Sequence, residues 1–367
     1  MRPPSVRMRT GERHSRVKTL IACLVLAHGL VLGAVSAAEP AATPGPGAAH
    51  PAPAATDATY PTAATMAAPG PKLFTNQQLF AVYDRVQSIL QQKNIPRDGS
   101  ATPDQLADEL TIVEMALANA ADKTGEAAQA GYIMHASMEA LCGRLNQADA
   151  ELRLIIAHGS LQGRLAAYKE LAEVLLQSGK AEALDELAAR GEAEKIPQVL
   201  TDHMRMFANF LHIKLGEGFP TFAITDLAGA MHTLGDYQGH VLVLDFWASW
   251  CQPCMEALPA LLKTYQRFHR AGVDILGVCL DDNPQNLQAI IRGSGMSWPQ
   301  ALETRSFSSP LLIKYGVWNL PANFVIAADG TLIAKNIHGD HLDQLLTKLL
   351  AQPDPAAAAA AAGLPSR

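Results

Sequence analysis

Cysteine is scarce in this chain, with five among 367 residues. They stand at positions 23, 142, 251, 254 and 279, too few and too scattered for a disulfide-stapled scaffold. Only Cys251 and Cys254 are close together. Neither Cys142 nor Cys279 has a partner cysteine or a nearby histidine in the register of a structural zinc site, and Met255 stands where haem attachment needs a histidine. No metal and no cofactor is expected. Positive charge is also in short supply. Residues 1–38 hold six of the 29 basic side chains and one of the 35 acidic ones, which leaves 23 against 34, a formal charge of −11. Such a surface repels polyphosphate, so no nucleic-acid role is expected.

Long apolar runs are missing too. The one at the start, "LIACLVLAHGLVLGAV", falls short of the ~20 residues of a membrane span and contains His28 and Gly29. It follows Arg2, Arg7, Arg9, Arg13, Arg16 and Lys18 and ends in "SAAEP", the pattern of a secretory signal cut after Ala37 or Ala38. Export to the periplasm or another extracytoplasmic space is the expectation, with a membrane tether as the rival if the signal is not cut. Export bears on the cysteines, because outside the cytoplasm a thiol pair is oxidised unless something keeps it reduced.

A length of 367 residues exceeds what one core usually supports, and the chain divides by composition. Residues 39–71 are Ala, Pro, Thr and Gly for the most part, with eight prolines, and read as a disordered linker. Residues 72–215 follow a 3.6-residue period. "TNQQ" at 75–78 and "TPDQ" at 102–105 are capping boxes, and further helices are expected near 127–145, 147–158, 163–178, 181–191 and 197–214, stopped by Gly159, Gly179 and Gly191. This is an all-α domain of irregular helical hairpins. From 216 to 352 strands and helices alternate: "VLVLDF" (241–246), "VDILGVCL" (273–280) and two strands within 322–335 turned at Asp329–Gly330. A helix between the first two strands implies a parallel pair and the Asp-Gly turn an antiparallel one, so the sheet is mixed and flanked by helices. Residues 353–367 read as a disordered tail.

The cysteine pair closes a loop too short to staple a fold usefully. It also sits where a strand runs into a helix. There Cys251 would cap the helix, and its unpaired amides and macrodipole favour thiolate over thiol. That makes Cys251 the attacking sulfur. Cys254, one turn on, is placed to attack the mixed disulfide and release the substrate thiol. Pro253 stiffens the first turn.

"DFWASWCQPC", then Pro259, then "YGVWNLPANFVIAADGTL" resembles the exported thioredoxin-like thiol-disulfide oxidoreductases of the TlpA/ResA/DsbE type. The resemblance spans about 216–350, including the lead-in "GFPTFAITDLAGAMHTLGDYQGH". It implies an α/β thioredoxin fold, protein thiols or disulfides as substrates, and a membrane electron donor serving a reductase. It makes Leu320–Pro321 the cis-proline element that lies against the dithiol and meets an incoming substrate strand. Asp245, six residues before Cys251, matches the buried acid that manages the second cysteine's proton. The exported family usually carries Glu three residues after the second cysteine, where this chain has Ala257. Glu256 lies one step earlier, about 100° round the helix, and is the second choice as proton acceptor. Trp250, Pro253, Leu320 and Pro321 are the candidate substrate-facing residues.

Plainer readings stand beside these. Cys279 is expected as an inert core thiol, and Cys142 as much the same. Trp247 and Trp250 are read as the apolar collar of the dithiol, His338 and His341 as loop and cap residues, and the "HMRMFANFLHIKL" stripe as helix core. Two other functions compete. A thiol peroxidase on the same fold would want Thr or Ser where Ala248 stands. A redox-sensing interaction protein would use the helical domain to bind a protein partner.

Overall fold

The computed structural model describes residues 73–93, 95 and 101–351. The signal, linker and tail expected from sequence lie outside the described residues. The chain forms two compact units divided between Gln177 and Ser178.

Among the described residues the first unit is a succession of five helices: α1 (Asn76–Gln92), α2 (Pro103–Ala118), α3 (Glu126–Leu141), α4 (Leu145–His158) and α5 (Leu161–Gln177). Each packs on its sequence neighbour, while α1 also meets α3 and α3 also meets α5, the pattern of stacked hairpins. Thr75 and Gln78 satisfy each other's amides at the start of α1, with Thr75 N–H donating to Gln78 Oε1 at 2.9 Å. At the start of α2 Thr102 N–H donates to Gln105 Oε1 at 2.7 Å. Leu79, Tyr83, Val86, Leu106, Val113 and Met138 are fully or almost fully buried. Truncation of Leu79, Leu106 or Met138 to alanine would cost about 2–5 kcal/mol. The unit also buries charge. His135 Nδ1 lies 2.9 Å from Glu151 and Nε2 lies 3.4 Å from Glu114, while Arg144 covers buried Glu139.

The second unit begins with α6 (Ala181–Ala193) and α7 (Gln198–His212), before any strand. The change in sequence grammar at Gly216 and the division into compact units therefore do not coincide. Gly191 does not stop its helix as expected. It lies inside α6, where a Cβ would stand 2.7 Å from Ile196 Cδ1, so its bareness serves packing and the helix runs on to Ala193.

A short hairpin follows, β1 (Ala223–Thr225) with β2 (Met231–Thr233). The main sheet holds β3 (Val241–Trp247), β4 (Val273–Cys279), β5 (Gln300–Leu302), β6 (Ala322–Ile326) and β7 (Leu332–Lys335), in the order β5-β4-β3-β6-β7. β3 pairs parallel to β4 and antiparallel to β6, so the sheet is mixed. All seven residues of β3 are buried, as an apolar run interrupted only by Asp245 requires of a central strand. α8 (Gln252–Phe268), α9 (Pro284–Ser294), α10 (Pro310–Tyr315) and α11 (Gly339–Ala351) complete the unit. This is the thioredoxin-like arrangement, and β5 is the strand that sequence reading did not anticipate.

The candidate active site

β3 ends at Trp247 and the chain turns through Ala248–Trp250 into α8. The turn is tied down from outside: Ser249 N–H donates to Asp281 at 2.8 Å and Leu280 N–H to the Trp247 carbonyl at 2.9 Å. Cys251 is the N-cap residue of α8, in extended conformation, and its Sγ accepts a hydrogen bond from Cys254 N–H at 3.2 Å. A helix N-terminus offers free amides and a partial positive charge, so sulfur at this position is stabilised as thiolate. In this structure Cys251 and Cys254 are joined in a disulfide and are only 4% and 5% exposed. Trp250 beside them is 56% exposed, whereas Trp247 is buried and donates through Nε1 to Gln300 at 2.9 Å. The two tryptophans thus differ: one is core, the other surface.

Behind the pair lies a cavity of about 30 Å³ shared by Asp245, Cys254, Pro321 and His338, room for a water molecule or two. The Leu320–Pro321 peptide is cis. Asp245 faces Gly277 of β4 and Asn323 of β6 across the sheet. Gly277 offers no side chain to it. With no hydrogen bond to the carboxyl among the described residues, burial alone pushes Asp245 up to about 7, close to the pH at which a proton acceptor works best.

His338 is a loop residue, as expected, and it is also a wall of this cavity. Asn323 takes Ile337 N–H on its oxygen at 3.0 Å and gives its amide to the Ile337 carbonyl at 2.7 Å. The same amide group lies 3.1 Å from His338 Nδ1, which must accept and leave the imidazole neutral with its proton on Nε2. Burial also lowers its pKa. No sequence pattern pointed to His338, since it shares a cavity with Asp245 only through the fold of β6 and β7.

Glu256 is on the outer side of α8, exposed, and accepts from Gln252 Nε2 at 2.9 Å. It does not line the cavity. Pro253 occupies the first turn of α8 and is exposed. Cys279 is fully buried and pushed up to about 12 by that burial, while Cys142 is half-buried at the end of α3. Among the described residues no group of three or more His, Cys, Asp or Glu could hold a metal ion, and no helix is long and apolar enough to cross a membrane.

The AhpC/TSA family matches residues 215–335, the stretch that holds the dithiol, Asp245 and Pro321 but neither His338 nor Cys142. The thiol-disulfide oxidoreductase ResA of Geobacillus thermodenitrificans is 32% identical over 129 residues, which cover 34% of this chain and 72% of that protein. This chain belongs to the ResA-type thiol-disulfide oxidoreductases. ResA of Bacillus thuringiensis is 28% identical over 145 residues, 40% of this chain and 82% of that one. Among solved structures, the thioredoxin domain of a thiol-disulfide oxidoreductase from Bacteroides vulgatus is 28% identical and covers 37% of this chain and 98% of that one, with a TM-score of 0.35. As a ResA-type enzyme the protein is a thiol-disulfide oxidoreductase. Its helical first unit lies outside the matched residues.

Proposed function

We propose that this oxidoreductase works outside the cytoplasm as a reductase of disulfides in protein substrates, with Cys251 as nucleophile and Cys254 as resolving thiol. The observation that carries it is the placement of Cys251 at the N-terminus of α8 with Cys254, Asp245 and Pro321 around one cavity. In the reduced enzyme the Cys251 thiolate attacks one sulfur of a substrate disulfide. A mixed disulfide forms and the other substrate sulfur leaves as thiolate, to take a proton from solvent. Asp245 then accepts the Cys254 proton, directly or through a water in the cavity. The Cys254 thiolate attacks Cys251 Sγ and expels the second substrate thiolate, leaving the Cys251–Cys254 disulfide. Two electrons pass to the substrate, and a membrane electron donor restores them.

Asp245 is favoured over Glu256 because it is buried in the cavity while Glu256 is bonded to Gln252 in solvent. Pro321, Leu320, Trp250 and Pro253 form the proposed substrate-facing rim, of which Trp250 and Pro253 are exposed. Export rests on the basic and apolar pattern of residues 1–38, and a partner-facing role for the helical unit on its exposed Leu154 and Leu161. The peroxidase alternative finds no hydroxyl at buried Ala248.

Equilibration of the full chain with glutathione buffers measures the direction. A potential near or below about −270 mV supports a reductase, and one near about −120 mV makes it an oxidant.

A further inference from the structure

We propose that α7 is a positioning element for substrate engagement, although it ends before the family-matched residues begin. Phe207 and Phe210 act through Trp318 to hold the loop that carries Pro321. This rests on the reading that Pro321 meets the substrate.

Between Tyr315 and β6 the chain makes six steps, Gly316 to Pro321, and its first half is seated on α7. Gly316 has φ +65°, and a Cβ there would stand 2.4 Å from Phe210 N and 2.6 Å from the Met206 carbonyl oxygen. Only glycine lets the two backbones come this close without strain. Two residues on, the Trp318 ring lies between two others: its centroid is 4.9 Å from that of Phe207 and 4.7 Å from that of Phe210, with both pairs nearly perpendicular. Edge-to-face contacts of this kind fix a ring in orientation as well as in place.

The seat is itself anchored on both sides. Asn209 Nδ2 donates to the Ile313 carbonyl at 2.8 Å. Lys335 of β7, the neighbour of the strand Pro321 opens, donates to the Phe210 carbonyl and stands 4.0 Å over the Phe210 ring. The helix therefore grips the loop three residues ahead of Pro321 and the sheet just beyond it. An aromatic clasp on a short loop makes sense where the loop's backbone must present its hydrogen-bonding groups in one fixed geometry.

The test uses the full chain, reduced beforehand, with Phe210→Leu, Phe210→Tyr, Trp318→Leu and Pro321→Ala variants. Oxidation by insulin in a single turnover is followed as insulin concentration rises, which separates half-saturation from limiting rate, and the reduction potential is measured for each. The expected result is a half-saturation concentration about fivefold or more higher for Phe210→Leu and Trp318→Leu, with limiting rate and potential near the parent's and recovery in Phe210→Tyr. Unchanged half-saturation in both leucine variants, while Pro321→Ala raises it, overturns the role of α7 alone. If Pro321→Ala also leaves it unchanged, the reading of Pro321 falls instead. A change in potential that tracks every loss in rate would make α7 a support of the fold and overturn the proposal.

Discussion

Replacing Asp245 by asparagine should make the enzyme more stable and slower at once. Asp245 lies at the centre of the sheet, its carboxyl without a hydrogen bond among the described residues, and burial lifts it from 3.8 to about 7. Below about pH 3.8 folded and unfolded chains both hold the proton, and the carboxyl imposes no charge penalty. Between pH 3.8 and 7 the unfolded chain releases the proton while the folded one keeps it, so stability falls as pH rises. Above 7 the cost is complete, at most about 4 kcal/mol for a shift of this size at ~1.4 kcal/mol per unit. Asp245→Asn removes that cost. Guanidinium unfolding of the oxidised protein, followed by tryptophan fluorescence, reads it selectively, because Trp247, Trp250, Trp298 and Trp318 are the chain's only tryptophans and all lie in the second unit. The variant should exceed the parent by several kcal/mol at pH 8 and match it near pH 3.5. In the same variant, resolution of the mixed disulfide should slow by about 10²–10⁴-fold. A stability difference that is equal at both pH values would refute the burial argument, and resolution at the parent's rate would refute the proton transfer.

Other consequences follow from the buried thiol of Cys279 and the buried charges. Cys279, fully buried and pushed up to about 12, should resist iodoacetamide in the native protein at pH 8 and react in guanidinium; labelling at the rate of a free thiol would show that β4 opens readily. His135 has its pKa raised, chiefly by the hydrogen bond to Glu151. A raised folded value gives stability that is present in acid and is lost as pH rises through it. The helical unit should therefore lose stability from pH 5.5 to 8, a trend that His135→Gln flattens, as measured by far-ultraviolet circular dichroism during unfolding.

The chemistry was legible because it is written locally. Strand, turn, Cys251, Pro253 and Cys254 fall within the fourteen residues from Val241 to Cys254, and the fully buried run of β3 announces a central strand. Capping boxes at Thr75 and Thr102 placed two helix starts for the same reason. What escaped is what only the fold brings together. β5 is three residues long and too short to show a period. Gly191 signals a helix end by type, yet tertiary packing against Ile196 decides its place. Asn323 faces Asp245 through strand register and His338 comes to the same cavity beside Asn323, and the apolar stripe of α7 gave no sign that Trp318 would cover it.

The central claim is that Cys251 attacks and Cys254 resolves. Reduced full-length protein with Cys254→Ala, and separately with Cys251→Ala, should be mixed with insulin and the products read by mass spectrometry. The account predicts a persistent adduct through Cys251 in the first variant and little or none in the second. An adduct that forms on Cys254 when Cys251 is absent, as fast as the reverse, would contradict it.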